Sequence, residues 1–261
     1  MSLKDKIIAF DIDGTLARND SNPSQYSIDV LKELIEQGYN ITLVTGRNII
    51  SSVKIYRKCG MKIAGVFCNG ALVCYPLTDV RIRDIIIPLK DLYYMIDDNN
   101  LMQYVDDMLL EIGEKSYALT GNLWKHADVI GNFKETVNVA PNSIVIAAKS
   151  HDVQEKIKEY INASEQYRYR HWWLVGEFYN AFFTKREGVM DLLNHYGKTK
   201  EDLVFFGDGE NDREILEYAG IGVAMKNAND ETKQYANVVT DFDNEEDGAV
   251  KYLLKLIEQD K

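Results

Sequence analysis

Consecutive apolar runs, rather than alternating ones, mark the strand-like segments of this chain. Ile7-Ile8-Ala9-Phe10, Ile41-Thr42-Leu43-Val44, Gly65-Val66-Phe67-Cys68 and Leu203-Val204-Phe205-Phe206 are the clearest, with shorter ones at Ile221–Ala224 and Asn237–Thr240. Runs of this kind predict strands buried on both faces, as in a parallel sheet. Helical periodicity fills the gaps. Ile28, Leu31, Leu34 and Ile35 share a face, with Ser27 as a cap and Gly38 as a stop. A second helix runs toward Cys59-Gly60, a third carries Val189, Leu192, Leu193 and Tyr196, and a last one spans Gly248 to Ile257. Right-handed crossovers make such an alternation a doubly wound parallel sheet, an α/β fold. Ala71 to Tyr75 is expected to turn back beside the third strand. The rhythm then breaks. Leu89 to Ile112 reads as helical with an interruption at Asn99-Asn100, and irregular polar and aromatic stretches follow until the rhythm returns beyond Lys185. The parse is a discontinuous core, residues 1–82 and 184–261, split by an inserted α/β domain at 83–183.

The polar residues at the strand ends carry the chemistry. The first run delivers Asp11-Ile12-Asp13-Gly14-Thr15 to the carboxyl end of the sheet, where open α/β folds bind ligands. Two acids two residues apart on near-extended backbone project to the same side, which is costly without a cation or a shared proton. The second run ends in Thr45-Gly46-Arg47, a hydroxyl with free backbone N–H groups that suits an anion. Thr184-Lys185 precedes the third helix and places a cation there. The fourth run delivers Gly207-Asp208-Gly209-Glu210-Asn211-Asp212, a set of hard oxygen donors for a cation. Each segment alone has an ordinary reading: an Asp-rich turn, a Thr-Gly turn, a solvated lysine.

Together and in this order, the four segments resemble the haloacid dehalogenase superfamily of phosphotransferases, in its Cof-type subfamily IIB. Cys68-Asn69-Gly70-Ala71, Gly222-Val223-Ala224-Met225-Lys226-Asn227-Ala228 and Glu246-Asp247-Gly248-Ala249 extend the likeness over the core. The resemblance implies a Rossmann-like core with a C2-type cap that closes over the site and selects the substrate. It implies that Asp11 is the nucleophile and Asp13 the acid/base. Thr45 and Lys185 hold phosphoryl oxygens, and Gly46, Asn69, Gly70 and Asn211 lie on the substrate side, Asn211 orienting Asp208 or the phosphoryl group. Mg2+ is the implied cofactor, with Asp11, the Asp13 carbonyl, Asp208 and Asp212 around it. Arg47 is a supporting residue. Lys185 is preferred to Arg186 because Val189, four residues on, matches the apolar helix position of the family.

Composition narrows the partners. The 261 residues, 46% hydrophobic, suffice for two cores, and a net charge of −11 argues against a nucleic-acid partner. No segment has the length of a membrane span or the apolar core of a signal peptide. Cys59, Cys68 and Cys74 lack zinc spacing and read as buried or free thiols of a cytoplasmic protein. The inserted region is rich in aromatics: Tyr93, Tyr94, Tyr104, Tyr117, Trp124, Tyr160, Tyr167, Tyr169, Trp172, Trp173, Phe178 and Tyr179. Most are expected to fill its own core rather than stack on sugars; His126 and His171 have no metal-spaced partner. The expected substrate is a small phosphorylated metabolite, a sugar phosphate foremost. Pyridoxal phosphate, flavin mononucleotide, a phosphomutase reaction and, last, a non-catalytic binding role are the alternatives.

Overall fold

Fourteen strands follow one another in the described residues: β1 Ile7–Phe10, β2 Asn40–Leu43, β3 Gly65–Phe67, β4 Leu72–Cys74, β5 Arg81–Asp84, β6 Val105–Ile112, β7 Lys115–Ala118, β8 Val129–Ile130, β9 Ile144–Ala148, β10 Tyr167–Trp172, β11 Val175–Asn180, β12 Leu203–Gly207, β13 Ile221–Ala224 and β14 Val238–Val239. The computed structural model describes residues 2–78, 80–113 and 115–260, and for Trp172 the backbone alone, so the expectation for that side chain lies outside the described residues. The chain divides into two compact units, Met1–Arg83 with Phe183–Lys261, and Asp84–Phe182.

In the discontinuous unit, five parallel strands are ordered β14-β13-β12-β1-β2. All four residues of β1 are buried, the pattern its unbroken apolar run implies. Helices lie on both faces. On one, Ile8, Phe10, Ile41, Leu43, Val204 and Phe206 pack with Leu31 of the helix Gln25–Glu36 and Leu253 of the helix Gly248–Gln259. On the other, Ile7, Ala9, Leu203 and Phe205 pack with Val189 and Leu192 of the helix Lys185–His195. Phe10 and Phe206 stack with centroids 4.6 Å apart, and burying each ring contributes about 1.5–3 kcal/mol. In register, Phe10 sits between Phe206 and Leu43. The central strands therefore end level, and the motif residues beyond them emerge side by side.

The third strand extends this layer differently from expectation. A single bridge, Val44–Val66, links it to the parallel sheet, and β3, β4 and β5 form a separate three-stranded sheet. The first helix also starts earlier than expected. Ser24 is its cap, its Oγ accepting from the Ser27 amide, and the Ser24 and Ser27 hydroxyls both donate to Asp247 Oδ1.

The inserted unit holds a six-stranded sheet, β10-β11-β9-β6-β7-β8, antiparallel except where β7 meets β8. Its core joins Met108, Leu110, Ile144, Ile146 and Phe178 to Leu92 and Ile157 of the helices Leu89–Asp97 and Gln154–Asn162. The expected helix to Ile112 is corrected here: helix stops at Met102, and Val105–Ile112 is a strand. A register shift between Val105 and Asp107 breaks its period of two. Asp107, fully buried, accepts from the amides of Met108, Thr120, Leu123 and Trp124, which satisfies the acid inside. Tyr167, Tyr169 and Phe178 are buried and Tyr93, Tyr104, Tyr117 and Tyr160 pack against the same core, whereas Tyr94 and Trp173 are exposed.

Candidate active site

The chain leaves β1 with Asp11, whose amide still donates to the Phe206 carbonyl. It turns at once. The Ile12 carbonyl accepts from the Thr15 and Ala17 amides, and Gly14 adopts φ +75°. That glycine is required, because a Cβ on it would lie 2.2 Å from Asp208 Oδ2. The turn lets Thr15 Oγ1 donate to Asp208 Oδ1 at 2.9 Å, so the hydroxyl of the first motif orients the acid of the fourth. It also removes the near-extended backbone expected at Ile12. The Asp13 carboxylate pairs with Arg47 and is not one of the acids grouped with Asp11.

Lys185 opens its helix and is 1% exposed. Its Nζ donates to Asp11 Oδ1 at 2.8 Å and to Asp212 Oδ1 at 2.7 Å. Arg186 points elsewhere, over the Tyr218 ring. The other oxygen of Asp212 accepts from the Asp208 and Gly209 amides at 3.0 and 2.9 Å, which fixes that fully buried carboxylate from both sides. Asp11, Asp208 and Asp212 each offer one oxygen, all within 4.8 Å of one another. Three acids around one ammonium leave negative charge in excess. Burial, then Asp212 and Asp208, push the Asp11 carboxyl well above the usual carboxylate range, against the opposing pull of Lys185. Burial and the neighbouring Asp212 raise Asp208 to about 6, although the Thr15 hydrogen bond works the other way. Burial opposes charge on Lys185, and the two carboxylates outweigh it, so the ammonium persists far above neutral pH. Hard oxygens with unbalanced charge fit a divalent cation.

A second group faces this one from the neighbouring loops. Thr45 is buried, its Oγ1 accepting from the Arg47 amide at 3.1 Å and its carbonyl from the Asn69 amide at 3.3 Å. Cys68, Asn69 and Gly70 have φ of +51°, +50° and +94°, a left-handed turn that is strained at the first two. Gly70 allows close approach, since a Cβ there would lie 2.0 Å from the Thr184 carbonyl, next to Lys185. Asn211 Nδ2 donates to Asn69 Oδ1 at 2.9 Å. Asn211, expected to orient Asp208 or the phosphoryl group, is bonded to the Asn69 turn, while Thr15 holds Asp208. A Cβ on Gly46 would lie 2.9 Å from Asn69 Oδ1. Sequence reasoning left unassigned the pairing of Arg47 with Asp13, which has no local signal because 34 residues separate them.

The model of the haloacid dehalogenase-like hydrolase family matches residues 8–253. The chain belongs to that family, in its Cof-type branch. It is 31% identical to a 5-amino-6-(5-phospho-D-ribitylamino)uracil phosphatase of Bacillus subtilis over 97% of this chain and 98% of that one. A pyridoxal phosphate phosphatase of Escherichia coli is 26% identical over 95% and 97%. The crystal structure of a haloacid dehalogenase-like hydrolase from Bacteroides thetaiotaomicron superposes with a TM-score of 0.86 at 21% identity, over 96% of this chain and 99% of that one, a likeness of fold.

Proposed function

We propose that this phosphatase is a Mg2+-dependent phosphomonoester hydrolase working through an aspartyl-phosphate on Asp11, with sugar phosphates foremost among its small phosphorylated substrates. The observation that carries the reading is the buried Lys185 ammonium between Asp11 and Asp212, with Asp208 completing a three-acid group. Asp11, Asp208 and Asp212 would hold the cation by their carboxylates and Asp13 by its carbonyl. When bound, Mg2+ supplies positive charge against the repulsion between a carboxylate and a phosphoryl group.

In the proposed cycle, an Asp11 oxygen attacks phosphorus as the bond to the leaving oxygen breaks, and that oxygen takes a proton from Asp13. Asp13, now a carboxylate, takes a proton from water whose oxygen attacks the phosphorus, releasing inorganic phosphate and restoring Asp11. Lys185 and Thr45 hold phosphoryl oxygens, with the Gly46 and Gly70 backbone, Asn69 and Asn211 beside them. Phosphoryl transfer asks mainly for positioning and charge, and these parts supply both.

The Bacillus relative, whose named substrate carries its phosphate on a ribityl chain, favours a polyol phosphate. The Escherichia relative favours pyridoxal phosphate as the second reading, with flavin mononucleotide of the same class. Three buried cysteines suit the reducing cytoplasm, and no helix among the described residues is long and apolar enough to cross a membrane. Phosphate release should be measured over sugar, sugar-alcohol, pyridoxal and flavin phosphates, with Mg2+ and with EDTA. Mg2+-dependent release led by a sugar phosphate or a sugar-alcohol phosphate supports the proposal. Isomerised phosphate ester without free phosphate would mean a mutase, and unchanged rates in EDTA would remove the cation from the scheme.

A further inference from the structure

Arg47 bridges three segments around the first motif. Its Nε donates to Asp13 Oδ2 at 2.8 Å and its Nη2 to Asp13 Oδ1 at 2.5 Å, a two-pronged pair, while Nη2 also donates to the Ser21 carbonyl at 3.2 Å. Ser21 has φ +67°, so a turn in the left-handed region presents that carbonyl. The Arg47 backbone is tied as firmly: its amide donates to Thr45 Oγ1, and its carbonyl accepts from the Cys68 amide at 2.9 Å. Surface ion pairs generally contribute little because both side chains must be ordered from solvent. Here the Arg47 side chain is only 17% exposed and its backbone is fixed at both ends, whereas the Asp13 side chain is 61% exposed. The more buried partner is the arginine, and the exposed carboxylate is the one it holds.

We infer that Arg47 is the positioning residue for Asp13 and that it sorts the four acids of the site. An unrestrained carboxylate two residues from Asp11 would compete for Lys185 and for the cation. Held by Arg47, it stands apart from the three acids that share the 4.8 Å group and stays available for proton transfer. The fork suits that task. Each prong holds one oxygen, so releasing one oxygen to give or take a proton leaves the carboxyl anchored through the other. A lysine, as a point charge, has no second prong aligned to do this. The inference rests on the reading of Asp13 as the acid/base.

The test compares the parent with Arg47→Met, Arg47→Lys, Asp13→Asn and the Arg47→Met/Asp13→Asn double variant. Their kcat and KM are measured on a sugar phosphate and on p-nitrophenyl phosphate, whose leaving group needs little protonation. Arg47→Met should lower kcat on the sugar phosphate by about 10²-fold, the lower end of what general acid–base catalysis contributes. On the aryl phosphate the loss should be much smaller, with KM nearly unchanged on both. Arg47→Lys should not rescue, and should give the same answer if the Met variant fails to fold. Added to Asp13→Asn, Arg47→Met should cost nothing further. An equal loss on both substrates, with KM raised and the same penalty in the Asp13→Asn background, would make Arg47 a substrate ligand and overturn the inference. Leaving-group dependence in Asp13→Asn but not in Arg47→Met overturns the role of Arg47 alone. Its absence from both overturns the reading of Asp13 beneath it.

Discussion

At the scale of single residues, the site is a problem of charge. Asp11 lies buried beside Asp208 and Asp212 with one ammonium between them, so its carboxylate is both crowded and held in place. Asp11→Asn should therefore abolish turnover while leaving the fold intact. The amide imitates the protonated carboxyl that crowding already favours, and uncatalysed phosphate-monoester hydrolysis is so slow, with enzymes supplying up to ~10²¹-fold, that no bypass should be seen. Phosphate release and thermal melting of the variant check this; turnover within tenfold of the parent would remove the covalent step. The same crowding sets a pH dependence. Asp208 is held at about 6 in the folded protein against 3.8 as its ordinary value, and Asp11 is raised as well. Carboxyls raised on folding contribute stability that is full below their ordinary value and is lost as pH rises through the folded one. The metal-free protein should thus melt at progressively lower temperature from about pH 5 to about pH 8. Added Mg2+ should raise melting more at the upper end, as it binds the deprotonated acids. An Mg2+-induced shift equal across that range would contradict the charge assignment.

At the scale of elements, loops reach the site because glycines let them approach, and this is where reading the sequence succeeded unevenly. The apolar runs announce β1 and β12, and the polar residues after them are the ones that meet, because the register of the central strands ends level. Lys185 is preferred to Arg186 in the sequence through the family resemblance at Val189, and in the structure Lys185 reaches Asp11 while Arg186 lies over the Tyr218 ring. The strand Val105–Ile112 was not legible as a strand: its bulge and the buried Asp107 spoil the alternation, leaving apolar residues at helical spacing. Nor was the Arg47–Asp13 pair, nor the Asn211–Asn69 bond across 142 residues, since neither follows from any local period. Gly70→Ala tests the loop geometry. The left-handed φ alone costs about 1–3 kcal/mol for a side chain, and the new Cβ meets the Thr184 carbonyl, which is backbone and cannot yield cheaply. Activity should fall steeply through displacement of Lys185, with a lower melting temperature. A variant as stable and active as the parent would show that the approach of this loop to Thr184 is not needed.

At the scale of the whole molecule, every candidate site residue belongs to the discontinuous unit, and the inserted unit has its own sheet and core. Arg83 and Phe183, at the two ends of the insertion, lie together, the guanidinium 5.0 Å from the ring centroid. A short Gly/Ser bridge can therefore replace Asp84–Phe182. The shortened protein should fold, keep its Mg2+-dependent thermal stabilisation, and hydrolyse a small activated aryl phosphate. It should lose discrimination among metabolite phosphates, the task the family resemblance gives to the insertion. Retention of the parent's substrate ranking would place selection in the discontinuous unit instead. The most direct measurement is made on the intact protein. Enzyme mixed with a labelled phosphomonoester and Mg2+ is quenched in acid within one turnover, and the protein is digested for mass spectrometry. The label should sit on the peptide bearing Asp11, be released by hydroxylamine, and be absent from Asp11→Asn. Turnover with no protein-bound phosphate, or label retained in that variant, would contradict a phosphoryl group passing through Asp11.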